Sequence, residues 1–304
     1  MTTLTRRTLM VGGAALTLTA LGTTRGWTQA SVEGVARRKV GGMEVVGLLD
    51  GRIQLEAKLF SGAPDDKIAE MIGGQPVDGF INAFVVQTAD GPVMIDAGAG
   101  PALGPAGGKL AERLQAAGID PAAVTTFYAT HLHPDHVGGL VGENPIQLPN
   151  AQMVVHEQER AFWTNDEIMK QAGEANEAFF QTARNALAAF GDRVTTFTGE
   201  DVPGPLQAME LFGHTPGHTG YVVADGSDSM LIWGDIVHAP VLQFPDPSIT
   251  ISFDVDPAAA EATRKRVMDM AATDKMPVGG MHLVFPAMGT VTKSGDGYAF
   301  QTEA

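Results

Sequence analysis

The sequence predicts an α/β chain folded as an αββα sandwich, two mixed β-sheets face to face with helices outside. Three observations predict it. Apolar runs of strand length recur through the chain, separated by Gly- and Asp-rich turns. Ala-, Glu- and Gln-rich stretches of helical length lie between them. Histidines and aspartates gather where the apolar runs end, which places a polar site at an edge where strand ends converge. A chain of 304 residues with 44% hydrophobic content can bury a sizeable core. With no linker and no tandem repeat of short period, residues 31–304 read as a single domain.

Taken in order, Val40 to Leu55 reads as a hairpin turning at Asp50-Gly51, and Ala83–Thr88 with Val93–Asp96 as a second turning at Asp90-Gly91. Pro64 opens a loose helix with Ile68, Met71 and Ile72 on one face. A helix from Gly108 to Ala117 stops at Gly118. The strand Val124–Ala129 leads into a histidine-rich loop, and the strand Gln152–His156 follows it. Glu157 to Phe190 is largely helical and closed by Gly191, with most of its aromatics expected in the core. Short strands are expected at Leu206–Leu211, Tyr221–Ala224 and Met230–Trp233. Asp256-Pro257 pairs an N-cap with a first-turn proline and starts a helix to about Ala272. A last hairpin flanks Ser294–Gly297.

The first thirty residues read as a twin-arginine export signal. Arg6-Arg7 precedes a modest apolar run from Val11 to Leu21, too short to span a membrane stably, and Thr28-Gln29-Ala30 offers small residues for cleavage. An ordinary secretory signal is the alternative. Either route leads to the periplasm or the exterior, without a stable membrane anchor. The formal charge is −15, from 35 acidic against 20 basic residues, and losing Arg6, Arg7 and Arg25 with the leader takes it to −18. Such a surface repels phosphate backbones and argues against nucleic acid as partner. With no cysteine there is no disulfide and no thiolate ligand.

The stretch His131-Leu132-His133-Pro134-Asp135-His136 carries the chemistry. Three imidazoles and a carboxylate so close need partners if buried, and a divalent metal supplies one. On an extended segment His131 and His133 share a side and can grip one ion, while Asp135 and His136, past the bend at Pro134, can face a second. Further donors stand near the ends of later apolar runs: His218 in Gly213-His214-Thr215-Pro216-Gly217-His218, Asp235 after Trp233-Gly234, and His282 after Gly280-Met281. His156 is left over as a structural or exposed histidine.

This arrangement resembles the metallo-β-lactamase superfamily. The resemblance implies that His131, His133 and His218 hold one ion, that Asp135, His136 and His282 hold the other, and that Asp235 bridges both. It implies a supporting role for Asp96, in Asp96-Ala97-Gly98, as a hydrogen-bond partner of the ligand loop or a ligating histidine. Imidazole and carboxylate suit Zn²⁺, the default, and also Mn²⁺, Fe²⁺ or Co²⁺. Two such ions can hold a bridging hydroxide as nucleophile, with Asp235 orienting it, so the reaction expected is hydrolysis of an ester-like bond.

From about Gly47 to Phe300 the chain is further similar to methyl parathion hydrolase and its lactone- and aryl-ester-hydrolysing relatives. The matching stretches are Thr130–Leu140, Gly213–Val223, Gly234-Asp235 with Gln243-Phe244 and Asp246-Pro247-Ser248, and His282-Leu283 with Phe285-Pro286. That likeness implies a homodimer and a pocket of Leu103, Trp163, Phe179, His238 and Phe253 beside the metals. Leu103 stands in place of an aromatic, His238 and Phe253 in place of leucines, and the segment from Trp163 to Phe179 is one residue shorter. Aryl esters and lactones are therefore expected ahead of phosphotriesters, with His238 a catalytic donor or a structural histidine. An organophosphate hydrolase, an acyl-homoserine lactonase, a thioester hydrolase, a β-lactamase and a non-catalytic metal-binding protein are the other readings.

Overall fold

The computed structural model describes residues 32–303; the leader expected over residues 1–30 lies outside them. β1 (Val35–Val40) and β2 (Met43–Leu55) pair antiparallel across the tight turn at Gly41-Gly42. The expected reversal at Asp50-Gly51 does not occur. β2 continues through it with a bulge between Leu49 and Gly51, and the buried Asp50 carboxylate accepts hydrogen bonds from the backbone N–H of Ala99, Gly108 and Leu110. The buried donors among them, of Ala99 and Leu110, need an acceptor, which is why an Asp-Gly pair makes a bulge here instead of a turn.

β3 (Phe60–Ser61) and α1 (Asp65–Met71), entered from Pro64 and burying Ile68, come next. β4 (Val77–Thr88) and β5 (Gly91–Ile95) form the hairpin expected at Asp90-Gly91, with Thr88 opposite Gly91. α2 (Leu110–Ala116), β6 (Thr126–Tyr128), the single turn α3 (Pro134–Val137) and β7 (Gln152–His156) follow. The long helical stretch divides into α4 (Glu157–Thr164), α5 (Asp166–Ala172) and α6 (Glu174–Phe190). Asn165 breaks it by capping α5, its side chain accepting from the N–H groups of Glu167 and Ile168, and Gly173 breaks it again at φ 79°.

After β8 (Val194–Phe197) come β9 (Gln207–Glu210), β10 (Thr219–Asp225), β11 (Asp228–Ile232), the turn α7 (Pro240–Gln243) and β12 (Thr250–Ile251). α8 (Pro257–Asp274) starts where expected, with the Asp256 side chain accepting from the Ala259 N–H. β13 (Val278–Gly279), β14 (Met288–Ser294) and β15 (Gly297–Thr302) end the chain, the last two as the expected hairpin.

Two mixed sheets result. One runs β1-β2-β4-β5-β6-β7-β8, antiparallel to β5 and parallel beyond it; the other runs β15-β14-β13-β11-β10-β9, parallel only between β13 and β11. Period-two alternation builds the layers. Val45, Val86 and Val154 face the second sheet and pack with Tyr221, Met230 and Ile232. Their neighbours Val46, Val85 and Val155 face outward onto Leu110, Leu114, Phe180 and Leu187 of the helices. α8 covers the far face through Val267, Met268 and Ala271 against Leu231 and Trp233. This is the expected αββα sandwich. Among the described residues no helix is long and apolar enough to cross a membrane.

Candidate metal centre

The loops that leave β6, β11 and β13 and the one that enters β10 meet at one edge of the sandwich and bring their polar side chains together. His131 Nε2, His133 Nδ1 and His214 Nε2 form a triangle with sides of 2.9, 3.0 and 3.2 Å. The opposite nitrogens of two of these rings are already engaged. His214 Nδ1 donates to Asp254 Oδ1 at 2.8 Å, and His131 Nδ1 lies 3.1 Å from the Thr130 hydroxyl, which itself donates to Asp96. With both rings neutral, the nitrogens that His131 and His214 point into the triangle are therefore lone pairs, an arrangement that a cation relieves. A tetrahedral Zn²⁺ with bonds of about 2.0–2.1 Å separates its ligand nitrogens by roughly 3.3 Å, so the triangle fits one.

A second group, Asp135, His136 and His282, offers ligand atoms within 4.8 Å of one another. His136 Nδ1 donates to Asp96 Oδ2 at 2.7 Å and His282 Nδ1 to the Phe80 carbonyl at 2.6 Å, which leaves Nε2 of both rings facing the cluster. His136 Nε2 is buried with no hydrogen-bond partner, and so is Asp235 Oδ1, 3.2 Å from it. The other oxygen, Asp235 Oδ2, lies 3.0 Å from His282 Nε2 and 3.3 Å from His214 Nε2. One carboxylate thus faces both groups. Donor atoms converging from seven side chains, two of them buried and without a hydrogen-bond partner, fit divalent metal.

Charge follows the same geometry. Burial alone would raise the Asp235 pKa, but the surrounding imidazoles, His136 and His282 foremost, hold its carboxyl well below the usual range. Burial works against protonating His214, yet its bonds to Asp235 and Asp254 raise its pKa to about 9. His136 is likewise raised against its burial, by Asp235, Asp135 and Asp96.

One expected ligand is not in the cluster. Both nitrogens of His218 are spent on the fold: Nδ1 donates to the Leu211 carbonyl at 2.9 Å and Nε2 accepts the Asp235 backbone N–H at 3.0 Å. Burial and the nearby charge of His214 push its pKa down to about 3, so it stays a neutral strut. His214, four residues earlier in the same motif, takes the place assigned to it. Gly234 serves this strut, because at φ 59° a Cβ would sit 2.3 Å from His218 Nε2.

Asp96 stands behind the cluster, accepting from the Thr130 N–H at 2.8 Å and from the Thr130 hydroxyl and His136. It adopts φ 58°, a conformation few residues other than glycine hold, and this aims its carboxylate under the loop. Glu159 is a support that sequence reasoning missed. Fully buried, it accepts from the Leu132 N–H and Trp163 Nε1 with one oxygen and from the Thr215 hydroxyl and Gly217 N–H with the other, joining both histidine loops.

Residues 76–278 match the family model of the metallo-β-lactamase superfamily. The chain belongs to this superfamily. No curated protein matches it. Among solved structures it is similar to AbOPH, a hydrolase of the beta lactamase superfamily, at 28% identity and a TM-score of 0.82, over 89% of this chain and 98% of that one. It is similar to AidC, a dizinc quorum-quenching lactonase in complex with an N-acyl homoserine product, at 26% identity and a TM-score of 0.82 over the same shares. A quorum-quenching N-acyl homoserine lactone lactonase shares the fold at 19% identity and a TM-score of 0.58, over 83% of this chain and all of that one.

Like other clefts at sheet edges, the one in this metallo-β-lactamase fold opens over the polar cluster. Its volume is about 290 Å³, with His133, Asp135, His214, Asp235, His238 and His282 at the polar side and Ile53, Leu55, Ala102, Phe179, Thr182 and Phe253 among its walls. Phe179 and Phe253 are thus part of the cleft wall. Trp163 is not. It is buried behind His133, with ring centroids 5.3 Å apart, packed on Phe180 and held by Glu159, so it shapes the cleft only through the histidine. The side chain of Leu103 lies outside the described ones. His238 stacks on His282 at 5.0 Å, and both its nitrogens are buried without a hydrogen-bond partner, Nε2 being 3.0 Å from Asp235 Oδ2. Burial outweighs the attraction of Asp235 and lowers its pKa to about 4, so it is neutral at pH 7. His156 is buried, as a capping acceptor for the Gln158 N–H.

Proposed function

We propose that this protein is a dinuclear metal hydrolase of lactones and aryl esters. One ion would be held by His131, His133 and His214, the other by Asp135, His136 and His282, with Asp235 shared between them. When bound, such ions polarise the ester carbonyl and activate water at neutral pH. The chain's own residues do the rest. The walls at Phe179 and Phe253 exclude water and receive the flat apolar part of the substrate, leaving its carbonyl over the donor cluster. His238, a neutral imidazole, can donate a proton from one ring nitrogen to the leaving oxygen while the other takes up the proton released by the attacking water.

The observation that carries this reading is the small, mostly apolar cleft directly over the donors. At about 290 Å³ it is at the lower end of ligand sites, which suits a flat bicyclic lactone or phenyl ester better than a tetrahedral triester with three arms. Acyl-homoserine lactones are the second reading, favoured by the likeness to AidC. The test is a panel of dihydrocoumarin, phenyl acetate, hexanoyl-homoserine lactone and methyl parathion with metal-reconstituted enzyme. The aryl lactone and ester should be cut much faster than methyl parathion, and the double change His238→Leu and Phe253→Leu should shift that ratio towards the triester. A wild type that prefers methyl parathion, or a ratio untouched by the double change, would sink the pocket argument. Export through the Arg6-Arg7 leader is part of the same proposal, and Lys in place of both arginines should block it.

A further inference from the structure

We propose that Asp254 and Arg264 form a buried positioning unit that presents His214 as a metal donor and ties it to the loop carrying Asp235. The inference rests on the metal-centre reading above.

The unit is built from α8 towards the site. Arg264 is almost wholly buried, and its guanidinium is spread over three segments: Nε donates to the Ile236 carbonyl at 2.7 Å, and Nη1 to the carbonyls of Pro247 and Ile249 at 3.2 and 2.9 Å. Its Nη2 lies 3.7 Å from Asp254 Oδ2, an oxygen that also accepts the Ile251 N–H at 3.1 Å. Asp254 Oδ1 accepts from His214 Nδ1. A carboxylate can only accept, so in the neutral, ligating ring this bond fixes the proton of His214 on Nδ1 and leaves the Nε2 lone pair aimed at His131 and His133. Without it the ring is free to carry its proton on Nε2, where it would block the donor.

The same guanidinium holds the carbonyl of Ile236, the residue after Asp235. One side chain on α8 therefore sets the position of two donors that are far apart in sequence. The other donor group has no such arrangement. His136 is braced by Asp96, whose further partners are the Thr130 N–H and hydroxyl, without a cation. Because a buried guanidinium and carboxylate each leave the other uncompensated when removed, the pair acts as a unit. Its loss should be felt by the ion on His131, His133 and His214 before the other.

The test uses the full chain with Co²⁺ or Zn²⁺ and reads metal stoichiometry, affinity by chelator competition and the visible absorption of the Co²⁺ form. Asp254→Ala should weaken one ion by about 10- to 100-fold, the range for losing a ligand's hydrogen-bond partner, with the second ion little changed and the Co²⁺ spectrum shifted. Asp254→Asn, which keeps an acceptor without the charge, and Arg264→Lys, which keeps the charge but cannot span three carbonyls, should fall between that and wild type. Wild-type affinity and spectrum in Asp254→Asn and Asp254→Ala would overturn the inference while leaving the metal centre standing. Equal loss of both ions in Asp254→Asn would also overturn it, by showing general support of the fold. A wild type that takes up no divalent ion would remove the metal-centre reading and this inference with it.

Discussion

In the loop from His131 to His136 every histidine and aspartate reaches the donor cluster, whereas in Gly213–His218 only the first histidine does. The first loop is governed locally. An extended His-Leu-His followed by proline at the start of α3 leaves little choice about which way the rings point. The second loop is governed from a distance. Asp254 fixes the ring of His214, and the Leu211 carbonyl with the Asp235 N–H fixes that of His218; these partners come from three places in the chain. Donors set by local geometry can be named from a motif, while donors set by hydrogen bonds across the fold need the fold.

The largest expected effect falls on the residue that joins the two loops. Asp235→Asn should lower hydrolysis by orders of magnitude and weaken retention of at least one ion; full activity with two equivalents bound would remove the bridging role. Next comes the contrast itself. His214→Ala should lose an ion by more than the ~10- to 100-fold seen when only a ligand's supporting partner is removed. His218→Ala should keep its metal and instead lose about 1–3 kcal/mol of stability, because it leaves the Leu211 carbonyl and Asp235 N–H unpaired in the core. Metal titration and thermal melts of the two variants, side by side, decide it, and matching losses of metal would erase the distinction.

The most gradual effect is on pH. In the metal-free protein the pKa of His214, about 9 against 6.5 in an unfolded chain, means that its contribution to stability is complete below pH 6.5 and lost as pH rises through 9. Protons compete with the metal over the same window, so metal affinity should rise by up to about tenfold per unit from pH 7 to 9 for this one group. Asp254→Asn should flatten that rise by removing one of the carboxylates that lift the pKa. A flat wild-type profile in chelator competition would mean that His214 is not the donor whose proton is displaced.

Period-two apolar runs, the turn at Asp90-Gly91, the Asp256-Pro257 helix start and the spacing of His131 to His136 were legible because each is decided within a few residues. They suffice for an αββα sandwich with a polar edge and for the core of a metal site. Asp50-Gly51 misled, since turn chemistry is only a default until a buried backbone donor claims the aspartate. Trp163 misled because an aromatic near a motif carries no mark of which side of the histidine it will pack on, and Glu159 drew it inward. Which of His214 and His218 faces the cluster, and the roles of Glu159, Asp254 and Arg264, were decided by tertiary structure alone. All depend on hydrogen bonds between groups far apart in sequence, where burial makes each polar atom find a partner and no local pattern records which partner it will be.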